Sequence, residues 1–105
     1  YWGYFDCKDN YTLTAPVGRF AANRYGLHDM MGNVGEWMED CWHEKLSDKP
    51  GDGTAMTNAG DCPERSLRGG SWGEDPQTVS AFDRDHDKAE IRVTVTGFRV
   101  ARNLD

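Results

Sequence analysis

The stretch NRYGLHDMMGNVGEWMED, residues 23–40, interleaves oxygen donors with glycines. Asp29 and Glu36 lie seven positions apart, with Gly32 and Asn33 between them. A hard cation such as Ca²⁺ takes roughly six to eight oxygens from carboxylates and backbone carbonyls, on a chain that must curve tightly. Glycine permits that curvature because it tolerates positive φ. The spacing is not that of an EF-hand loop, and a turn carrying solvated acids is the plainer reading. Thiol chemistry has three candidates, Cys7, Cys41 and Cys62, none in a CxxC pair. His28, His43 and His86 are scattered, so zinc has little support. Buried thiols are one reading of the cysteines. The other is a Cys41–Cys62 disulfide closing a polar loop, worth on the order of 3 kcal/mol and stable in an oxidising compartment, periplasmic or extracellular. RGGSW, residues 68–72, lacks the GK[ST] of a phosphate loop. Between Trp72 and Thr96 the chain is rich in charge, including Glu74, Asp83, Asp85, His86, Asp87 and Lys88. It reads either as a solvated loop or as a ligand site carried on loops over a rigid frame.

A modest scaffold must position these groups. The chain has 105 residues, enough for one domain with one small core. Aromatic residues at 11% argue against disorder, since they supply the apolar area that offsets ordering entropy. A net charge of −6 disfavours binding to nucleic-acid phosphates. No apolar run approaches the roughly 20 residues of a membrane span. Tyr1 is the first residue, and an aromatic opening without a signal core predicts that the sequence starts inside a longer protein.

Glycines interrupt most helical windows. Residues 36–46 read equally as a short helix or a strand, since periodicity does not decide. Ile91, Val93 and Val95 alternate with Arg92, Thr94 and Thr96, which predicts a strand that resumes after Gly97 as FRVAR. Residues 79–82 form a further strand candidate, and residues 66–68 another, ending at Gly69-Gly70. Residues 47–63 are a long polar loop rich in turn residues. Trp37, Trp42, Trp72 and Phe98 are expected in the core. Arg68 and Arg99 are expected to partner buried carboxylates or carbonyls.

Taken together, the blocks are far more specific than each alone. TAPVGRF, then NRYGLHDMMGNVGEWMEDCW, then RSLRGGSW, then TGFRVAR resemble the formylglycine-generating enzyme, or sulfatase-modifying-factor, family in order and approximate spacing. The resemblance covers essentially the whole chain. It implies the C-terminal part of a single family domain spanning 1–105, with the N-terminal part missing. The fold it implies is α+β, irregular and C-type-lectin-like, with a small antiparallel sheet, long loops and structural calcium. Matched position by position, one calcium site takes the side chains of Asp29 and Glu36 with the carbonyls of Gly32 and Val34. A second takes the carboxylate of Asp9 and the carbonyl of Tyr11.

The resemblance also bears on activity. The family's oxidases bind copper through two cysteines after the GGS block, soft ligands suited to Cu(I). Glu74 and Val79 stand at those positions here, so the implied oxidase reaction and its copper are not expected. The expectation is a calcium-stabilised pseudoenzyme that binds a protein or small-molecule ligand, as bacterial members that use the fold as a binding module do. Trp72, Glu74, Asp83, Asp85 and His86 are the ligand-binding candidates. The alternative is the pocket-forming part of an oxidoreductase, of formylglycine-generating or nonheme-iron sulfoxide-synthase type, with its reactive centre outside this chain.

Overall fold

The computed structural model describes residues 8–47, 49–57 and 61–104. Four strands form one sheet: β1 (Gly35–Cys41), β2 (Glu64–Arg68), β3 (Asp85–Lys88) and β4 (Thr96–Gly97). Their order is β3-β2-β1-β4. β1 pairs antiparallel with β2, and β2 antiparallel with β3, whereas β4 runs parallel to β1. The sheet is therefore mixed rather than wholly antiparallel, and the described residues contain no helix to represent the α half of an α+β class. The helix-or-strand ambiguity over residues 36–46 resolves as strand as far as Cys41, and residues 42–46 are neither. β1 is bulged: Trp37 faces Leu67 and Cys41 faces Arg65, so β1 advances four residues while β2 advances two.

The strand ending at a glycine pair is found where the sequence puts it. Gly69 and Gly70 have φ of +94° and +67°, a region costly for residues with a Cβ. A Cβ on Gly70 would lie 2.9 Å from Val79 Cγ2, so the glycine also lets the 71–79 turn close onto the sheet. Gly97 does the same for β4: a Cβ there would meet Val34 Cγ2 at 2.9 Å.

Three expectations fail for identifiable reasons. Residues 91–95 are not a strand, because the Thr96 N–H and hydroxyl both turn back to the Val93 carbonyl. The Ile91 N–H likewise bonds the Lys88 carbonyl, and the strand itself is confined to Thr96–Gly97. Residues 98–102 are not strand, and Phe98 and Val100 are exposed. Residues 79–82 form a turn instead of a strand, held by bonds from the Phe82 and Asp83 N–H groups to Ser80 Oγ.

The core is small. Cys41 and Leu67 are its buried apolar residues, joined by Ser66 and Ser71. Trp37 and Trp42 are half-buried, but Trp72 and Phe98 are exposed, against the expectation of an aromatic core. Trp42 packs against charge rather than hydrocarbon: Arg84 lies 4.3 Å over its ring and His86 stacks on it at 4.2 Å. A radius of gyration of 15.0 Å exceeds the roughly 13 Å of a compact domain this long, in keeping with so few buried side chains.

A disulfide joins Cys41, at the end of β1, to Cys62, just ahead of β2. Of the two readings of the cysteines, this is the bridged one. Cys7 lies outside the described residues.

Candidate functional site

The motif blocks meet because backbone groups stitch them together. Asn33 is the central stitch. Its Oδ1 accepts from the Ala15 N–H at 2.9 Å, its Nδ2 donates to the Ala15 carbonyl at 3.2 Å, and its carbonyl accepts from the Trp72 N–H at 3.0 Å. One side chain and its own carbonyl thus bind TAPVGRF and RGGSW to the loop before β1. The Gly32 N–H donates to the Gly69 carbonyl at 2.7 Å, and the Gly35 N–H to the Val95 carbonyl at 2.8 Å. Asn33 has φ of +65°, a conformation asparagine tolerates better than most residues. Sequence reasoning had treated Asn33 only as a spacer between carboxylates.

Arg99 supplies the last stitch. Its guanidinium grips Glu36 with two bonds, Nε to Oε2 at 2.6 Å and Nη2 to Oε1 at 2.5 Å. Nη2 also donates to the carbonyls of His28 and Asp29 at 2.9 and 3.1 Å. The bond to Glu36 raises the Arg99 pKa above its ordinary value, and the charges of Glu36 and Asp29 add to that against partial burial. Arg68 behaves similarly, its Nη1 donating to the Phe82 and Asp83 carbonyls at 3.2 and 2.8 Å. Both arginines take carboxylate or carbonyl partners, but none of these partners is buried as expected.

The calcium positions can be tested against this geometry. Asp29, Gly32, Val34 and Glu36 lie on one tightly bent segment, with positive φ at Asp29 and Gly32. Their oxygen-only chemistry suits a hard cation. Asp29 Oδ2 accepts from the Gly18 N–H at 2.8 Å, and Glu36 is held by Arg99, so an ion here would share both carboxylates with fixed donors. Among the described residues no group of three or more His, Cys, Asp or Glu side chains is placed to hold a metal, so backbone carbonyls would have to complete the set. Asp9 and Tyr11 lie two positions apart on an exposed bend closed by the Tyr11 N–H on Asp9 Oδ1 at 2.9 Å, and Tyr1, whose position the resemblance matches to a further ligand of that second site, lies outside the described residues.

A cleft of about 100 Å³ opens beside β2 and β3. Glu74, Asp83, Asp85 and Asp87 line it together with Arg68 and Gly70, and Val93 and Val95 give it an apolar wall. The structure thus gathers Glu74, Asp83 and Asp85 from the ligand-binding candidates. It leaves Trp72 and His86 outside the lining, with His86 stacked on Trp42 and paired with Glu64 at 3.5 Å. Asp87 was missed as a lining residue, although the D-x-D spacing of Asp85 and Asp87 puts both on one face of a strand.

Glu74, which lines this cleft, and Val79, which does not, both approach Gly70. A Cβ placed on Gly70 would lie 2.9 Å from Val79 Cγ2 and 3.4 Å from Glu74 Oε2, so both side chains crowd the same point. Glu74 is oriented by Ser71, whose buried hydroxyl donates to Glu74 Oε1 at 2.8 Å. A carboxylate and an isopropyl group do not make a soft-metal site, and copper does not fit here.

A family model, the sulfatase-modifying factor enzyme 1-like domain, matches residues 1–104. A formylglycine-generating enzyme from Thermomonospora curvata is 57% identical over 35 residues, 33% of this chain and 12% of its own length. The serine/threonine-protein kinase pkn1 of Chlamydia caviae is 32% identical over 92 residues, 87% of this chain and 15% of the kinase. Among solved structures, PvdO from Pseudomonas aeruginosa superposes with a TM-score of 0.81 at 37% identity, covering 90% of this chain and 36% of that one. The chain therefore spans between 12% and 36% of the length of these relatives.

Proposed function

Because the chain belongs to the sulfatase-modifying factor enzyme 1-like domain family, we propose that it is a non-oxidase member serving as a calcium-stabilised binding module. The ligand site is the cleft floored by Gly70 and lined by Glu74, Asp83, Asp85 and Asp87. The convergence of Glu74 and Val79 over Gly70 carries this reading. The resemblance puts the copper cysteines of the oxidases at these two positions, and an acid and a hydrocarbon meet there instead. The cleft carboxylates are not grouped as a metal cluster, and Arg68 forms no ion pair with them, its Nη1 going to backbone carbonyls. An extended ligand with a positively charged group suits such walls better than a bare ion. A kinase-named relative that aligns with 87% of this chain supports a binding or sensory role. The Cys41–Cys62 bridge favours an oxidising, periplasmic or extracellular setting. Among the described residues no helix is long and apolar enough to cross a membrane.

The test is direct. Purified protein incubated with Cu(I), oxygen and a cysteine-containing peptide should yield no peptide aldehyde by mass spectrometry. Aldehyde formation overturns the reading. The formylglycine-generating relatives support a second reading, in which this chain walls the pocket of an oxidoreductase whose reactive centre lies elsewhere. That reading requires the cleft mutation Asp85→Ala to alter turnover in the complete parent.

Calcium would be held by the Asp29 and Glu36 carboxylates and the Gly32 and Val34 carbonyls, fixing the loop that Asn33 and Arg99 already stitch. At a calcium concentration near one hundred times its Kd, binding to the folded state alone adds about 2.7 kcal/mol. A melting temperature raised by several degrees is expected, with no shift after Asp29→Ala combined with Glu36→Ala. An unchanged melting curve in saturating Ca²⁺ would reduce the segment to a structural turn.

A further inference from the structure

We propose that a second cleft, beneath the disulfide-closed loop and sharing Arg68 with the one lined by Glu74, is a binding site for a small oxyanion such as a phosphate or carboxylate group. This cleft, of about 50 Å³, is lined by Asp40, His43, Lys49, Ser66, Arg68 and Arg84 among others. The charges in it do not balance. Lys49, Arg68 and Arg84 face it with one acid, Asp40. Asp40 is already committed, since its Oδ1 accepts from the Met56 N–H at 2.8 Å and lies 3.8 Å from Lys49 Nζ. Arg68 and Arg84 have no carboxylate partner among the described residues.

Both guanidiniums are instead anchored on backbone. Arg68 Nη1 bonds the Phe82 and Asp83 carbonyls. Arg84 bonds the Glu44 carbonyl through Nη1 at 3.1 Å and the His43 carbonyl through Nη2, with its plane laid over Trp42. A guanidinium carries five N–H groups, so anchoring of this kind leaves donors over while fixing their direction. That arrangement preorganises a receptor for a planar or tetrahedral anion, at small entropic cost on binding.

An independent observation marks the missing partner. His43 Nε2 is buried and has no hydrogen-bond partner among the described residues. A buried ring nitrogen in this state is costly unless something fills the space beside it. Water alone is the competing occupant, because a cavity of this size admits it. The uncompensated guanidiniums favour an anion, which would satisfy His43 and neutralise the arginines at once. The loop that roofs the site is held shut by Cys41–Cys62 and by the Cys41 N–H bond to the Met56 carbonyl at 2.8 Å.

Inorganic phosphate is the probe. Calorimetric titration of the purified oxidised protein at constant ionic strength should show one saturable site, where chloride shows none. The imidazole ¹⁵N signal of His43 should shift with the same saturation curve. Lys49→Gln should weaken binding about tenfold, as expected for loss of one charge-assisted contact. His43→Gln, which leaves both arginine anchors in place, should weaken it as well, and it serves as the check if Arg84→Gln fails to fold. Phosphate binding that leaves the His43 signal still, binding unaffected by Lys49→Gln and His43→Gln, or no saturable binding would each overturn the proposal and leave the cleft to water.

Discussion

Replacing Cys41 and Cys62 together by alanine should lower stability by about 3 kcal/mol, read as a shift in the urea midpoint. The bridge spans 21 positions. Closing a loop of that order removes roughly 3 kcal/mol of conformational entropy from the unfolded chain. In a chain this short, that corresponds to a fall in melting temperature of about 10 °C or more. Few other contacts would compensate. The loop is otherwise tied to β1 through the Cys41 and Met56 backbones, and the Trp42 N–H reaches the Glu64 carbonyl at 2.9 Å. Those bonds survive the substitution but do nothing to restrict the unfolded ensemble. Cys41 is also one of the two buried apolar side chains among the described residues, so loss of its sulfur thins a core with little to spare. Wild-type protein in excess reductant should unfold at the same midpoint as the double variant. A loss below about 1 kcal/mol would mean that the bridge is incidental and that the hydrogen bonds alone pin the loop.

What the sequence made legible was the punctuation and the chemistry, more than the strands. Gly69-Gly70 announced the end of β2 because only glycine accepts that backbone and that closeness to Val79. The cysteine pairing was visible as one of two readings. Glu74, Asp83 and Asp85 were visible as cleft candidates because charge on loops beside a rigid frame is conspicuous. The strand expected at residues 91–95 failed because β-branched alternation measures fitness for a pleated surface, not the presence of a partner strand. Here the chain doubles back at Val93 before it can pair. β3 was hidden for the opposite reason. DHDK has the composition of a solvated loop, yet its backbone pairs with β2 from Glu64↔Lys88 to Leu67↔Asp85. Charged side chains are what an edge strand carries to discourage further pairing. Asn33 escaped because its function is to bond Ala15 and Trp72, positions that no local pattern brings together.

The convergence over Gly70 leads to the other large effect. Glu74→Cys combined with Val79→Cys should give a chain that binds a single Cu(I) ion tightly enough to survive a chelator that strips the wild type. The argument is geometric first. Both side chains flank one point, the place a Cβ on Gly70 would take, with Val79 Cγ2 at 2.9 Å and Glu74 Oε2 at 3.4 Å from it, and a sulfur at either position would stand at the level of the present Cγ atoms. It is chemical second, because a thiolate pair selects Cu(I) where a carboxylate and a methyl group do not. The single substitutions serve as controls: each offers one sulfur and should bind at least an order of magnitude more weakly than the pair. If the double variant folds, shown by an unchanged urea midpoint, and still takes up no copper, the two positions do not face a common ion. The binding-module reading would then lose the observation it rests on. If it binds copper as strongly as expected, the difference between this chain and a copper-binding relative at this cleft reduces to two side chains on one shared frame.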